Sequence, residues 1–237
     1  MDISPGLREH YEDYYDGASE WRRLGAVGKA DNIVRVCAGR PVESVLDIGC
    51  GDGAVIARLE ETGFGKTFSA VDISSSGIAT LKARGLKRLV SAEVFDGSRL
   101  PQAGQGVDLA ILSHVVEHLE HPRQLLNEAA RVARWVVVEV PLEDTWRHPR
   151  DYRPSPVGHI NFYSRANLRR LVQTCGLEVV CERISNPPLA VYRHMNRTTG
   201  PLAWAVKQSL LAVLGPLATR LTCYHYTVLC RRPGPPA

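Results

Sequence analysis

Residues 45–53 read VLDIGCGDG, a short apolar run that breaks into a loop in which every second residue is glycine. Val45, Leu46 and Ile48 suit a buried parallel strand. The glycines supply positive φ angles and let a ligand approach bare backbone. Helical spacing resumes at residues 54–59, and the unpaired N–H groups at a helix start face the loop. The stretch therefore predicts a strand that leads directly into a nucleotide-type binding turn.

The acids around the glycine loop indicate which kind of nucleotide binds there. Glycine at positions 49 and 51 with alanine at 54 also fits a loose dinucleotide fingerprint. A pyrophosphate is anionic, whereas Asp47 precedes the loop and Asp52 lies within it, where both would repel phosphate. S-adenosylmethionine carries an ammonium and a sulfonium, so the acids favour this molecule over a dinucleotide.

Three further motifs follow the loop in order: VDIS at residues 71–74, FDGSRLP at 95–101 and VDLA at 107–110. Asp72 ends the second strand about twenty residues past the loop, where a carboxylate can accept both ribose hydroxyls. Together the motifs resemble the class I S-adenosylmethionine-dependent methyltransferases over roughly residues 30–184. The resemblance implies S-adenosyl-L-methionine as cofactor, with Asp96 on the adenine amino group. The implied cofactor-binding residues are Asp47, Gly49, Gly51, Asp52, Asp72, Ile73, Asp96, Gly97 and Ser113.

Strands and helices alternate along the chain from residue 43 onward. Strands are predicted at 43–48, 67–72, 89–94, 107–112 and 135–141, with helices at 53–62, 75–84, 122–133 and 164–175. This order predicts a parallel sheet with right-handed crossovers. Residues 177–184 and 224–230 resemble the antiparallel pair that closes the sheet of this family. We therefore expect an α/β, Rossmann-like, doubly wound sheet of seven strands, mostly parallel with one antiparallel strand, with helices on both faces.

A chain of 237 residues suits one well-buried α/β domain, so a single methyltransferase domain over residues 1–237 is expected. Within it we predict an N-terminal helical lid at 1–36, a substrate loop at 142–163 and an insertion at 185–222. The insertion is expected to cap the substrate pocket or to contact a second copy. A membrane-surface helix is disfavoured because its polar face holds one lysine, and Lys207, Gln208 and Pro216 argue against a membrane span.

Residues 113–122 read SHVVEHLEHP and follow the fourth strand. Methyl transfer from a sulfonium is an in-line displacement, so the protein must align the nucleophile and remove its proton. In the resembling family this segment lines the methyl site. We predict His118 or His159 as general base, with Glu117 and His114 in the same catalytic group. The alternative is structural: Glu117 caps or pairs, and His118 packs beneath the following helix.

The spacing His114-x-x-Glu117-His118, with His159 further along, also resembles a metal site. It is similar to the Glu-x-x-Glu-His site of quinone-biosynthesis O-methyltransferases and of small-RNA 3′-terminal 2′-O-methyltransferases. Here a histidine replaces the first glutamate, which disfavours Mg²⁺ and favours Zn²⁺ or another imidazole-binding ion. We predict no metal as the first choice, because His/Glu clusters beside pockets are more often acid–base or packing groups.

The predicted substrate loop supplies four candidates for substrate binding: Trp146, Arg147, Arg153 and Tyr163. The arginines suit bidentate contact with a carboxylate or phosphate, although a solvated loop face fits the same residues. The ending GHINFY at 158–163 resembles a stretch of small-molecule methyltransferases in which the histidine and tyrosine face the pocket. Tyr14 belongs to an aromatic cluster that either packs on the sheet or forms part of the lid.

The composition favours a small-molecule substrate over nucleic acid. The net charge is +4, with no Lys/Arg run of the kind found in nucleic-acid tails. The six cysteines form no C-x-x-C pair and no secretory leader is recognised, so a cytoplasmic protein is expected. We predict methyl transfer to an oxygen or nitrogen of a small molecule, in secondary metabolism, by a monomer or a homodimer.

Three other functions remain open on the sequence. An RNA 2′-O-methyltransferase using the histidine-rich site is opposed by the modest charge and by the lack of an appended RNA-binding module. A non-catalytic cofactor-binding subunit is opposed by the intact cofactor motif beside a histidine-rich pocket. A nicotinamide oxidoreductase is opposed by Asp47 and Asp52.

Overall fold

The computed structural model describes residues 20–147 and 158–233. The strands are β1 (Ser44–Ile48), β2 (Thr67–Asp72), β3 (Leu89–Val94), β4 (Val107–Ser113), β5 (Ala133–Pro141), β6 (Glu178–Ser185) and β7 (His225–Arg231). The helices are α1 (Glu20–Val36), α2 (Ala54–Glu61), α3 (Ser75–Ala83), α4 (Pro122–Val132), α5 (Arg165–Thr174), α6 (Leu189–Met195) and α7 (Gly200–Leu214). Short 3₁₀ helices lie at Val116–His118 and Gly215–Arg220.

The seven strands form one sheet in the order β3-β2-β1-β4-β5-β7-β6. β1 to β5 pair in parallel, whereas β7 runs antiparallel to both of its neighbours, β5 and β6. The predicted fold class is therefore confirmed, including its single antiparallel strand. The chain reverses direction across the sheet between β1 and β4, and such a switch point is where open α/β sheets bind ligands.

Alternate residues of β1 pack on opposite faces of the sheet, which explains why the strand is a nearly continuous apolar run. Leu46 and Ile48 belong to the core formed with α4 and α5, and Val45 belongs to the core formed with α1 and α2. All three side chains are at most 1% exposed. Burying one such side chain contributes about 1.5–3 kcal/mol, so the two cores fix β1 at the centre of the sheet.

α5 begins and ends as the sequence predicts. Ser164 is its N-cap and forms a capping box with Asn167. Gly176 follows the helix with a φ of +71°, the left-handed conformation that ends many helices and that glycine adopts without strain. This helix stabilises the chain directly after the loop that carries His159.

The insertion between β6 and β7 contains α6, α7 and the 3₁₀ helix that follows. Within the described residues, the segment Gly200–Arg220 is long and apolar enough to cross a membrane by length and composition. This finding corrects the argument that Lys207, Gln208 and Pro216 exclude such a helix on composition. Only 11% of its apolar window is buried, and the α-helical part stops at Gly215, whose φ is +53°.

Candidate functional site

The glycine loop after β1 is tightly enclosed by neighbouring side chains. Gly49 and Gly53 have φ angles of +75° and +73°. A Cβ at Gly49 would lie 2.6 Å from Val115 Cγ2, and one at Gly53 would lie 2.2 Å from Leu81 Cδ1. Both positions therefore require glycine, for conformation and for space. The loop keeps its bare backbone at the carboxyl end of the sheet, as the sequence predicts.

Asp72 at the end of β2 holds two backbone segments together. Its carboxylate accepts hydrogen bonds from Gly51 N (2.7 Å) and Ser74 N (2.9 Å). The side chain lines the cavity described below while being only 4% exposed. Asp72 thus stabilises the glycine loop, and its predicted contact with the ribose hydroxyls stays a prediction.

The two other acids of the cofactor motif carry less free charge than the sequence suggests. Asp52 pairs with Arg22 and Arg84, each at 3.0 Å, and its carboxylate accepts a bond from Ala54 N at 3.1 Å. Burial, followed by the neighbouring charge of Asp72, raises the pKa of Asp47 to about 7. The expectation that Asp52 repels phosphate is therefore corrected, because the guanidinium groups of Arg22 and Arg84 balance the charge of its carboxylate.

A cavity of about 590 Å³ extends from the glycine loop to the histidine-rich segment at the carboxyl ends of the strands. Lys29 of α1 lines one side, and Tyr192 and Lys207 of the insertion line the other. The predicted cofactor residues that line it are Asp47, Gly49, Gly51, Asp52, Asp72, Ile73, Gly97 and Ser113. A concave site that combines apolar walls with a few convergent polar groups is typical of small-ligand binding.

Asp96 is the one predicted cofactor residue outside the cavity wall formed by the described residues. It is exposed, and its Oδ1 accepts bonds from Ser98 N at 2.8 Å, Ser98 Oγ at 2.7 Å and Arg99 N at 3.2 Å. These bonds lower the pKa of Asp96, those from Ser98 most. Phe95 and Gly97 are the residues of this turn that line the cavity, and the adenine contact of Asp96 stays a prediction.

His114 lies between two fully buried glutamates. Its Nδ1 is 3.2 Å from Glu117 Oε1, and its Nε2 is 3.4 Å from Glu139 Oε1. Burial and the charge of Lys29 lower the pKa of His114, but the close contacts with the two carboxylates outweigh them and the pKa is raised. His114 is therefore favoured as a cation that bridges two anions, which is a poor state for the base that the sequence predicts.

Glu139 is a buried acid beside the cavity that the sequence interpretation missed. Its Oε2 accepts bonds from Asn32 Nδ2 (2.9 Å) and Thr227 Oγ1 (2.5 Å), and its Oε1 faces His114 and His225. Burial raises its pKa, but these partners, His114 first, outweigh burial and bring it to about 2. Burial lowers the pKa of His225 to about 3. The available signal was a single acid within the otherwise apolar residues 136–140.

His118 and His159 meet at the other end of the histidine-rich segment. Their ring centroids are 4.8 Å apart with the planes at 70°. His118 Nδ1 lies 3.1 Å from Gly158 O, and His159 Nδ1 lies 2.7 Å from Glu143 Oε2. Burial lowers the pKa of His118. Both rings line the cavity, so the two predicted bases are brought together, with Glu143 as an orienting group that the sequence interpretation missed.

Within residues 20–147 and 158–233, two groups of three side chains could hold a metal ion. One is His114, Glu139 and His225, and the other is Glu117, His118 and His159; the ligand atoms of each group lie within 4.8 Å of one another. The predicted set of His114, Glu117, His118 and His159 is therefore divided between two clusters. Each combines imidazoles with one carboxylate, a donor set suited to Zn²⁺ and similar ions.

Three of the predicted substrate residues, Trp146, Arg147 and Tyr163, lie away from the cavity. Trp146 is 76% exposed and Arg147 is also exposed. Tyr163 is 6% exposed, packs in the core beside α5 and donates a hydrogen bond from its OH to Val116 O at 3.3 Å. None of the three lines the cavity among the described residues. Tyr14 and Arg153 lie outside the described residues.

A family model described as a methyltransferase domain matches residues 21–182, which is more than half of the chain. The chain belongs to this methyltransferase family. The predicted class I resemblance is thereby confirmed, and S-adenosylmethionine is the cofactor that the family assignment supports. The matched region contains the glycine loop, Asp72, and His114 to His159.

Known relatives and solved structures agree with the family. A probable S-adenosylmethionine-dependent methyltransferase of Mycolicibacterium smegmatis is 29% identical over 178 residues, which cover 74% of this chain and 63% of that protein. A ubiquinone biosynthesis O-methyltransferase of Agrobacterium fabrum is 33% identical over 102 residues, covering 41% and 40%. The chain thus spans less than two thirds of either relative. The solved structure of geranyl diphosphate C-methyltransferase from Streptomyces coelicolor A3(2) is similar in fold, with a TM-score of 0.66 at 13% sequence identity. The match covers 98% of this chain and 100% of that chain.

Proposed function

We propose that the chain is an S-adenosylmethionine-dependent methyltransferase that transfers the methyl group to an oxygen or nitrogen of a small molecule, with a histidine as general base. The observation that carries the proposal is the pair of His159 and Glu143, 2.7 Å apart, at a cavity that also contains the glycine loop. The names of the two relatives, one an O-methyltransferase, support this class of reaction.

The general base acts through the ring nitrogen that does not face Glu143. A carboxylate only accepts hydrogen bonds, so His159 Nδ1 carries the ring proton and donates a hydrogen bond to Glu143 Oε2. The Nε2 atom of a neutral ring is then an acceptor, and it takes the proton from the acceptor hydroxyl or ammonium. The nucleophile forms a bond to the methyl carbon while the methyl–sulfur bond breaks, and S-adenosylhomocysteine leaves. Glu143 stabilises the imidazolium that results.

The remaining parts of the layout belong to the same proposal. We infer a single domain over 1–237, with a lid at 1–36, a substrate loop at 142–163 and a cap at 185–222. Trp21 and Lys29 at the cavity support the lid, and Tyr192 and Lys207 support the cap. A cytoplasmic location, a role in secondary metabolism and a homodimer remain predictions of this proposal.

The test is transfer of labelled methyl from S-adenosylmethionine to a panel of phenols, catechols and amines. A general base contributes about 10²–10⁴-fold to the rate, so His159→Ala should lower kcat by at least about 100-fold. Glu143→Gln should lower kcat by less, because the ring remains but loses its orienting partner. The matched control is His194→Ala, an exposed histidine outside the cavity wall of the described residues. Wild-type kcat in His159→Ala would contradict the assignment.

A second candidate is a metal-assisted O-methyltransferase, including one that acts on an RNA 2′-hydroxyl. Both carboxylate oxygens of Glu117 are buried and, among the described residues, neither is in hydrogen-bond geometry. Glu117 shares a potential metal cluster with His118 and His159. Titration of the metal-stripped protein with Zn²⁺ and Mg²⁺, repeated on His118→Ala, separates the two candidates. Zn²⁺ binding that disappears in His118→Ala would favour the metal-assisted reaction.

A further inference from the structure

The insertion carries a concentrated apolar surface. Among the described residues, six of the eleven exposed large hydrophobic side chains lie between positions 195 and 217. They are Met195, Leu202, Val206, Val213, Leu214 and Leu217, with exposures from 37% to 81%. We call these six side chains the insertion surface. Exposed apolar patches of this kind mark sites that bind a protein or a membrane.

The exposed side of α7 is mainly apolar, with Gln208 and Ser209 as its exposed polar residues. Leu202, Val206 and Val213 follow at intervals of four and seven residues and therefore form one stripe along the helix. Lys207 points the other way: it lines the cavity, and its Nζ lies 5.4 Å from the Tyr192 ring centroid. The single lysine is thus not on the exposed face. An exposed stripe of this kind on a helix favours contact with an apolar environment outside the protein.

The insertion itself carries basic residues and no acids. From residue 183 to the end of the printed sequence there is no aspartate or glutamate, against seven Lys and Arg. Arg193 and Arg197 precede α7, and Arg220 ends the 3₁₀ helix that follows it. All three are exposed, and no acid within residues 20–147 or 158–233 forms an ion pair with them. Basic side chains therefore lie at both ends of the apolar stripe.

We propose that the insertion surface binds an anionic lipid bilayer. An apolar stripe between basic residues matches acyl chains below a negatively charged headgroup layer. A second copy of this chain would bring two positive surfaces together, and a nucleic acid would leave the apolar stripe without a partner. Trp146 fits the same surface, because its indole is exposed and its backbone N donates a hydrogen bond to Arg220 O at 2.9 Å.

The helix lies in the plane of the bilayer surface. α7 has 15 residues, or about 22 Å at 1.5 Å per residue, which is shorter than the roughly 30 Å hydrocarbon core. Its inner face is fixed to the protein, since Trp204 Nε1 donates to Pro187 O at 3.1 Å and Tyr224 OH donates to Lys207 O at 2.7 Å. The stripe of Leu202, Val206 and Val213 therefore enters the headgroup region while the inner face stays on the protein.

The bilayer surface and the cavity are adjacent. Met195 belongs to the insertion surface and also lines the cavity, together with Tyr192 and Lys207. A methyl acceptor dissolved in the bilayer can therefore enter the cavity without crossing water. This step rests on the proposed function, and it specifies the acceptor as a lipophilic molecule with a polar group that reaches His159.

The test is co-sedimentation of the full chain with vesicles. Phosphatidylcholine vesicles containing phosphatidylglycerol should bind the protein, whereas pure phosphatidylcholine should bind it more weakly, and added salt should reduce the difference. The triple variant Leu202→Asn, Val206→Asn, Val213→Asn should lose at least about tenfold in vesicle affinity. Arg193→Glu with Arg197→Glu should lose affinity for the anionic vesicles only.

A matched control variant is Val90→Asn with Val94→Asn. These valines are 64% and 52% exposed on β3, at the opposite edge of the sheet from β6. The control should bind vesicles as the wild type does, and titration with S-adenosylhomocysteine checks that every variant is folded. Equal losses of vesicle affinity in the triple variant and in this control would overturn the proposal. A wild-type protein that binds no anionic vesicle would overturn it as well.

Two other outcomes have defined meanings. A wild type that is dimeric, ignores vesicles and becomes monomeric in the triple variant would overturn the proposal in favour of a second copy. A protein that binds anionic vesicles but transfers no methyl group would keep the bilayer surface and remove the proposed function. Vesicle binding and methyl transfer are thus separate readouts.

Discussion

The two halves of the cavity are built from different parts of the chain. The cofactor half, at the ends of β1 and β2, consists mainly of backbone that glycines and Asp72 hold in place. The acceptor half, at the ends of β4, β5 and β7, is lined by histidines, and the buried carboxylate of Glu139 lies behind His114. The first half is specified by local sequence, whereas the second depends on charges from distant segments that balance one another.

The difference implies that the acceptor half is the more fragile. A buried carboxylate costs several kcal/mol in desolvation and is retained only with partners. Glu139 has Asn32, Thr227, His114 and His225 around it. Loss of one charge there leaves the others unpaired, whereas loss of a contact in the cofactor half leaves the protein folded. Mutations in the two halves should therefore separate stability from affinity.

The largest effect is expected for Glu139→Gln, on stability. The folded-state pKa of Glu139 is about 2 against an ordinary value of 4.5, which corresponds to about 3 kcal/mol at neutral pH. Because the folded pKa is depressed, this contribution is complete above pH 4.5 and is lost as the pH falls toward 2. Urea unfolding at pH 7 and at lower pH measures it.

The control for that experiment is Glu178→Gln. Glu178 also pairs with a base, Arg231 at 3.2 Å, but both side chains are about half exposed. An exposed pair contributes at most about 1 kcal/mol. If Glu139→Gln loses no more unfolding free energy than Glu178→Gln at any pH, buried charge does not stabilise the acceptor half.

The next effect is expected for Asp72→Ala, on affinity. Removing a hydrogen-bonded carboxylate should weaken binding of S-adenosylhomocysteine by about 1–3 kcal/mol, with a smaller change in unfolding free energy. The variant loses the bonds to Gly51 N and Ser74 N as well as the predicted ribose contact. Calorimetric titration measures the affinity, and an unchanged value would remove Asp72 from the cofactor site.

A smaller effect is expected when Gly49→Ala is compared with Gly63→Ala. Both glycines have φ near +75°, so both variants carry the strain of about 1–2 kcal/mol. Only Gly49 is crowded, by Val115, while nothing lies within 4 Å of the Gly63 Cβ position. Gly49→Ala should therefore lose at least about tenfold more affinity for S-adenosylhomocysteine. Equal affinities would show that loop geometry is unimportant for the cofactor.

The smallest effect is expected for Asp96→Ala. Oδ1 of Asp96 bonds within its own turn and the side chain is exposed. Affinity for S-adenosylhomocysteine should change by less than about threefold, the usual size for an exposed substitution. A tenfold loss would instead support the adenine contact that the resemblance implies, with the carboxylate turning toward the cavity on binding.

Prediction from sequence succeeded where the determinants are local. The strand and loop at residues 45–53 combine an apolar run with glycines that positive φ angles require. Asp72 could be found because the second strand follows at a fixed distance. The parallel strands also follow from the alternation of strand and helix patterns, whereas the antiparallel pair rests on the family resemblance.

Prediction failed where the determinants are remote or directional. Asn32, Glu139 and Thr227 come from α1, β5 and β7, and only the antiparallel return of β7 brings them together. Tyr163 follows His159 closely, yet its side chain turns into the core while that of His159 lines the cavity. In an irregular loop, the spacing of residues in the sequence does not determine the direction of their side chains. The sequence likewise could not show that Lys207 of α7 points toward the cavity.

The most direct test of the account is calorimetric titration of the wild-type chain with S-adenosylhomocysteine and, separately, with NADH. The glycine loop, Asp72 and the family assignment predict saturable binding of S-adenosylhomocysteine with one molecule per chain and no binding of NADH. Saturable binding of NADH without binding of S-adenosylhomocysteine would contradict the account, because the cavity would then hold a dinucleotide.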